Sequence, residues 1–345
     1  MPLCHNTVMA VRVKDIAREL GVSVVTVSKV LRDHPDISVE TKTRIRQRMK
    51  ELDYRPNLAA RALVTGRTHI IGLVVPDLVQ PFFALIASGL SRALRKNGYN
   101  LVISSSEEDP DFEQKEIDQL LSRHVDALVV ASAQWTEESF RRIEEQQTPY
   151  VLVDRRFAGL PANFVGMDDE ALGLMGTGHL ADVGCRRIAH ICGPMVSTAA
   201  GRVAGYRRAL IDRGMQPVEQ YLITLNHNEE ASEKSGHEAM RKLLSLTPLP
   251  DGVFCYNDST AMGAMQAILE AGLRIPEDIS LVGCGNAHYA EFLKVPLTSV
   301  DQVSEQIGER AAELVLSVIQ SKGVARPKSV LLEPRLVIRE SSRRV

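Results

Sequence analysis

The sequence predicts an N-terminal all-α helix-turn-helix headpiece followed by an α/β body of two parallel-sheet lobes. Three features predict it. Residues 13–31 carry two short helical patterns separated by a tight turn. From residue 69 onward, short and nearly continuous apolar runs alternate with amphipathic stretches. Charge is divided in the same way: residues 1–68 hold thirteen Lys/Arg against seven Asp/Glu, net +6, and the remainder nets −8 within a whole-chain charge of −2. A basic headpiece on an acidic body suits contact with a polyanion through the headpiece alone.

Residues 1–10, MPLCHNTVMA, have the composition of a disordered tail. In VKDIARELGVSVVTVSKVL (13–31), Ile16, Ala17 and Leu20 share one helix face, and Val27, Val30 and Leu31 share another. Gly21 can take the positive φ that ends a helix. Ser23 can accept a hydrogen bond from an orphan N–H at the start of the next one. Two helices folded so sharply form either an ordinary helical hairpin or a helix-turn-helix, whose second helix fits the DNA major groove. Pro35 and the charges of RDHPDIS (32–38) then make a loop, and Ser38 caps a third helix with Glu40 in its first turn. Ile45, Met49 and Leu52 recur at i, i+4, i+7 and close a three-helix core, leaving Lys42, Arg44, Arg46, Arg48 and Lys50 outward. The headpiece therefore spans 11–56. Pro56 breaks the third helix and Asn57 can cap LAARAL (58–63), six residues that need an external partner to hold a helix. Residues 57–68 form this hinge helix and a polar linker.

The candidate strands of the body are 69–77, 101–106, 127–132, 150–155, 164–168, 187–194, 221–226, 252–257, 279–284, 297–301 and 330–338. Runs this apolar are strands buried on both faces, hence parallel sheets covered by helices. Their number is about twice what one open sheet needs, so two similar halves are expected, near 69–165 and 168–295. The five cysteines show no CxxC spacing and are expected as buried reduced thiols, without disulfide or metal. No apolar run has the length of a signal-peptide core or a membrane span. Gly176–Ala181 fits a GxGxxA fingerprint but lies inside a helical pattern with no strand before it, so no dinucleotide cofactor is expected. Asp168-Asp169 diverge as neighbours at a strand end, and the run Glu107-Glu108-Asp109 is expected as a solvated loop. With no HExxH, GxSxG or GxxxxGK[ST], no catalytic constellation stands and no enzyme is expected.

The helix-turn-helix with Thr26-Val27-Ser28 in its second helix, then Tyr54-Arg55-Pro56-Asn57 and the short Ala/Leu hinge, resembles the lactose/galactose-repressor family of bacterial transcription regulators. The resemblance implies that the hinge helices of two subunits pair in the minor groove, with Leu63 as an apolar wedge that kinks the DNA. It also implies that Val24, Val25 and Lys29 reach base edges. The valines suit thymine methyls, and Lys29 suits guanine O6 and N7. Ser23, Thr26, Ser28, Asn57, Ala60 and Arg61 would fix the docking on backbone and minor groove.

By the same resemblance the body is periplasmic-binding-protein-like, with three crossings between its lobes. Lobe one would take about 69–166 and 299–326, and lobe two about 167–298 and 327–340. The effector would bind in the cleft between them. Phe82 and Phe83 alone would read as core residues opening a helix. The resemblance makes them stacking faces, with Asp154, Arg202, Asn257, Asp258 and Gln302 as polar ligands. Four positions depart from the family: Arg12 for a capping Thr ahead of the first helix, and in the body Gln80 for Asn, Gly285 for Asp, and Ala231 for an aromatic. With Arg155, Arg156 and Arg202 the cleft is expected to be cationic, which would suit a sugar acid or another small anion. The expected protein is a cytoplasmic homodimeric repressor of a carbohydrate or small-acid operon. Its partners would be pseudo-palindromic double-stranded operator DNA and a sugar or sugar-acid effector, with no membrane and no cofactor. A transport solute-binding protein would lack the basic headpiece and carry a signal peptide, and a Rossmann-type enzyme would need the fingerprint that is missing.

Overall fold

The computed structural model describes residues 11–31, 33–54, 62, 66–134, 136–157, 159–225, 232–321 and 326–343. The chain divides into two compact units, Met1–Thr68 and His69–Val345.

In the first unit α1 (Val13–Leu20), α2 (Val24–Leu31) and α3 (Val39–Glu51) surround Ile16, Ala17, Val27, Val30, Ile45 and Met49. Gly21 takes φ 63° and closes α1 as its sequence position requires. Ser23 Oγ accepts the Thr26 N–H at 3.0 Å, and Ser38 Oγ accepts the Thr41 N–H at 3.3 Å. Arg12 offers α1 no side-chain cap. Instead Asp15 Oδ2 accepts the Arg12 N–H at 3.0 Å, the reverse half of a capping box. The expected tail 1–10 and the hinge positions Asn57, Ala60, Arg61 and Leu63 lie outside the described residues.

The second unit holds two six-stranded sheets. The first comprises β1 (Ile70–Val75), β2 (Asn100–Ser105), β3 (Ala127–Val130), β4 (Tyr150–Val153), β5 (Asn163–Met167) and β11 (Ser329–Leu332), in the order β11-β5-β4-β3-β1-β2. The other comprises β6 (Ile188–Cys192), β7 (Leu222–Thr224), β8 (Gly252–Cys255), β9 (Ser280–Cys284), β10 (Thr298–Asp301) and β12 (Arg335–Val337), in the order β12-β10-β9-β8-β6-β7. Among these strands only β10 with β12 pairs antiparallel. Apolar cores lie on each sheet: Leu73, Ile86, Leu90 and Val153 in lobe one, and Ile191, Val253, Ala264 and Leu281 in lobe two. Gly176–Ala181 lies within a helix, Asp169–Asp182, as its pattern predicted. Cys185, Cys192, Cys255 and Cys284 are buried free thiols.

Three crossings are found as expected, the first after Met167, but the second and third fall a few residues later than expected. The run 330–338 is two strands, because Pro334 has no N–H to donate and interrupts the ladder. β11 joins the first sheet beside β5, and β12 joins the second beside β10. β10 itself pairs with β9, so 299–301 belongs to lobe two and 329–332 to lobe one. The chain thus crosses after Met167, after Asp301 and after Leu332. At the second crossing Val303 takes φ 45°, a conformation that a β-branched residue adopts only under constraint. Asp301 Oδ1 holds it by accepting the Val303 N–H at 2.7 Å.

Three helix pairs close on glycine in the same reciprocal way. A side chain on Gly89 would strike the carbonyl of Glu305, and one on Gly308 would strike that of Ile86. Gly173 and Gly205 are likewise set against the carbonyls of Arg202 and Glu170, and Gly236 and Gly263 against those of Thr260 and Glu233. In each pair the opposed carbonyl lies three residues before the partner glycine, so the helix backbones touch along one turn.

Candidate functional site

A cavity of about 470 Å³ lies between the lobes at the carboxyl ends of the strands, where open α/β sheets bind ligands. In lobe one, Pro81 opens the helix Pro81–Lys96 and sets Phe82 and Phe83 on the cavity wall. Their rings meet edge-on, 5.1 Å between centroids and 74° between planes. Asp154 follows β4 in a left-handed conformation, φ 64°, on the wall. Burial pushes its carboxyl up, while Arg155 and Arg202 pull it back. Next to it the Arg155 guanidinium makes a two-pronged bond to Glu108, 2.8 and 2.9 Å, and donates to the Ser132 carbonyl at 3.0 Å.

In lobe two, Arg202 projects from the helix Ser197–Ile211, only 6% exposed. Its Nε donates to Asp169 Oδ1 at 3.0 Å, and Nη1 donates to the Tyr256 carbonyl at 2.8 Å. Asn257 is on the wall and also caps the helix Asp258–Glu270, accepting the Thr260 N–H at 2.7 Å. Gln302, 4% exposed, lines the cavity just before the strained crossing. Phe82, Phe83, Asp154, Arg202, Asn257 and Gln302 are therefore brought together.

Asp258 is not with them. It is 3% exposed beneath the sheet end, where the Ser299 hydroxyl and the Ala287 N–H each donate to it at 2.6 Å. Asp258 is the first residue of the helix that Asn257 caps, and its carboxylate turns inward. Burial raises the Asp258 carboxyl to about 6, against its hydrogen bonds. Its folded pKa exceeds its unfolded value, so between about pH 4 and 6 the folded state holds the proton longer and stability falls as pH rises. The loss amounts to roughly 3 kcal/mol. Asp258→Asn is expected to flatten that part of the stability profile, measured by urea unfolding across the interval. Parallel profiles for the variant and the parent would refute it.

The charge of the cleft is the reverse of what the sequence suggested. Asp77, Glu107, Glu108, Asp154 and Glu233 stand on the wall against Arg155 and Arg202, and both arginines are neutralised by carboxylates. Arg156 lines an adjoining space of about 530 Å³ with Arg141, and Arg155 stands on the walls of both. Glu107, Glu108 and Asp109 form an irregular segment in which Glu107 and Asp109 are exposed, as expected of a solvated loop, but Glu107 and Glu108 also line the cavity, and Asp109 caps the helix Pro110–Ser122 through the Asp111 and Phe112 N–H groups. Their place directly after β2 and before Asp-Pro was the signal available. Sequence reasoning also missed Ser232 and Tyr256. Gln80 Nε2 donates to Ser232 Oγ at 2.7 Å and ties the lobes across the cleft. Gly285 is off the wall: a Cβ there would face Asp258 Oδ2 at 3.6 Å and Gln302 Oε1 at 3.8 Å. Ala231 lies outside the described residues.

On the headpiece, Val24 and Val25 are 48% and 62% exposed, whereas Val27 and Val30 fill the core. Lys29 Nζ sits 3.2 Å from Asp36 Oδ2. Ser23 is exposed beside Val24, and Thr26 and Ser28 are half-buried. Outward valines can offer only apolar contact, the kind that suits thymine methyl groups. Among the described residues there is no group of three metal-ligating side chains, and no helix is long and apolar enough to cross a membrane.

Residues 12–57 match the model of bacterial regulatory proteins of the lacI family, and residues 177–342 match a periplasmic binding protein-like domain. The transcriptional repressor PurR of Haemophilus influenzae strain PittEE is 32% identical, with 95% of this chain and 98% of the relative aligned. The Lac repressor dimer bound to operator and the anti-inducer ONPF superposes with TM-score 0.85 at 26% identity, over 96% of this chain and 99% of that one. The regulator CelR in its cellobiose complex gives TM-score 0.73 at 30% identity, over the same shares. With one match on the headpiece, another on the cleft-bearing body, and relatives aligned almost end to end, the chain belongs to the lacI family of bacterial regulatory proteins and is a ligand-responsive, DNA-binding transcriptional regulator.

Proposed function

We propose that the protein represses its target operon as a cytoplasmic homodimer on a pseudo-palindromic operator, and that a neutral polyhydroxy compound in the inter-lobe cavity sets its operator affinity. The cavity carries this reading: its wall comes from both lobes, pinned by Gln80 and Ser232, so a ligand that bridges them biases one cleft state over another. Such coupling is typically ~1–3 kcal/mol and is reciprocal between effector and DNA. With Arg155 and Arg202 already paired to Glu108 and Asp169, and with Asp77, Glu107 and Glu233 also on the wall, an anion is disfavoured, while acceptors beside the Phe82 and Phe83 rings suit a sugar, whose hydroxyls donate from the rim of an apolar face. The CelR structure, solved with cellobiose, fits the same chemistry. A carbohydrate operon is therefore favoured over a small-acid operon.

On DNA, Val24, Val25 and Lys29 select bases. Ser23, Thr26, Ser28, Asn57, Ala60 and Arg61 set the docking, and Leu63 is the minor-groove wedge. Gel-shift of the full chain on a pseudo-palindromic site tests the reading: absence of salt-dependent binding overturns it. Leu63→Ala is expected to weaken specific binding at least tenfold and leave nonspecific binding nearly unchanged, because only the kinked complex uses the wedge. Equal losses on both would remove the wedge role. Calorimetric titration with neutral and acidic sugars tests the effector class. Tight binding of an acid with none of a neutral sugar would reverse it.

A further inference from the structure

Behind the effector cavity lies a second space of about 40 Å³. Arg155, Thr198, Arg202 and Tyr256 stand on the walls of both, and His190 and Cys192 of β6 close the far side. His190 is fully buried, stacked on Phe254 at 4.8 Å between ring centroids and 15° between planes. Its Nδ1 is 2.9 Å from the Phe254 carbonyl oxygen. A carbonyl only accepts, so Nδ1 carries the hydrogen and Nε2 is left as a lone-pair acceptor. Burial keeps the ring neutral, with its pKa down at about 4.

Nε2 has no hydrogen-bond partner among the described protein groups. Neither has the buried Nε of Arg155, a donor, whose nearest carboxylate oxygen, on Asp154, is 3.8 Å away. The outer nitrogens of Arg155 are committed to Glu108 and Ser132. An orphan acceptor and an orphan donor thus belong to two residues on the wall of one small space, and buried polar groups are rarely left unpaired.

The oxygen of a hydroxyl satisfies both, donating to one nitrogen and accepting from the other. An ammonium cannot accept, and a carbonyl or carboxylate cannot donate. A space of about 40 Å³ exceeds the roughly 10–15 Å³ that one water requires, so the site has room for a water.

We propose that this space is a hydroxyl site: in the effector-free protein one ordered water donates to His190 Nε2 and accepts from Arg155 Nε, and the site forms the floor of the effector cavity. Its part in recognition rests on the effector reading above, whereas its occupancy does not. An effector group that reaches the floor must be a hydroxyl, replacing the water, or must bond to the water that stays.

The test is a high-resolution crystal structure of the full effector-free chain, together with ¹⁵N NMR of the His190 ring. The expected result is one density peak within hydrogen-bond distance of both nitrogens. The ring should be protonated at Nδ1, with Nε2 resonating as an accepting nitrogen. A dry site, or an Nε2 resonance typical of a nitrogen that accepts nothing, overturns the proposal. His190→Leu should lose the peak, and a peak that survives there overturns the anchoring by His190. If that variant fails to fold, the parent's ring resonance still decides. Crystals grown with D-ribose separate the two sources of oxygen: a sugar oxygen in the peak or a retained water each fits a hydroxyl site, and displacement of the water by anything else overturns it. Failed operator binding would leave the water in place, and a dry site would leave operator binding untouched.

Discussion

Arg202→Met is expected to abolish the response of operator binding to effector and to destabilise the body by about 3–5 kcal/mol. The guanidinium is 6% exposed and supplies the counter-charge for Asp169 at 3.0 Å, with Asp154 also under its influence. A thioether of similar length fills the space and leaves the Asp169 carboxylate buried without its partner. Burial already pushes that carboxyl above its usual range, and Arg202 is what pulls it down. Without the arginine the folded-state pKa rises further above the unfolded value. Parent and variant lose stability alike from the unfolded pKa up to about 7, where the parent's carboxyl titrates, and above that only the variant goes on losing it, so its deficit grows from about pH 7 upward. Urea unfolding of parent and variant at pH 5 and pH 8 measures this. A deficit that is constant, or larger at pH 5, would show that Arg202 acts by packing alone. Pairing the change with Asp169→Leu removes the stranded charge and is expected to restore part of the stability but none of the effector response.

What the sequence made legible was mostly local. Gly21, Ser23 and the spacing of Ile16, Ala17, Val27 and Val30 depend on single turns of helix, and each is found as expected. The strands of the body were legible because burial on both faces leaves uninterrupted apolar runs. What failed depended on pairing across long sequence distances. The charge of the cleft could not be read from Arg155 and Arg202, because their neutralising partners, Glu108 and Asp169, are 47 and 33 residues away. Asp258 and Asn257 were indistinguishable as a pair of polar neighbours, although one caps a helix beside the cavity and the other is sunk under the sheet. The run 330–338 looked like one strand because its apolar residues continue past Pro334, and only the missing N–H there marks the change of sheet.

Gly173→Ala is expected to lower stability by about 1–3 kcal/mol and to weaken effector response with it, although helix propensity alone argues for the opposite sign. Alanine in place of a helical glycine normally stabilises, by about 1 kcal/mol. At Gly173 the added methyl would overlap the carbonyl oxygen of Arg202, which is backbone and cannot rotate away. The helices Asp169–Asp182 and Ser197–Ile211 must separate, and the side chain that moves with that carbonyl is the one held by Asp169 at 3.0 Å and by Tyr256 at 2.8 Å. Glycine here is therefore a positioning element for Arg202 as well as a packing contact. Gly178 on the same helix is the control. The nearest atoms to a methyl there belong to the Arg213 guanidinium, a side-chain end held by Asp182 and the Ala209 carbonyl that can shift without parting two backbones. Gly178→Ala should be neutral or slightly stabilising in thermal unfolding, with effector response intact. If Gly173→Ala behaved the same way, close approach of the two backbones would not be what sets Arg202 in the cavity. The same sign reversal is expected at Gly308, opposite the Ile86 carbonyl, where the distorted contact lies in lobe one and away from Arg202. A loss of stability there without a change in the Arg202 pairing would separate the packing role of these glycines from the positioning role that is particular to Gly173.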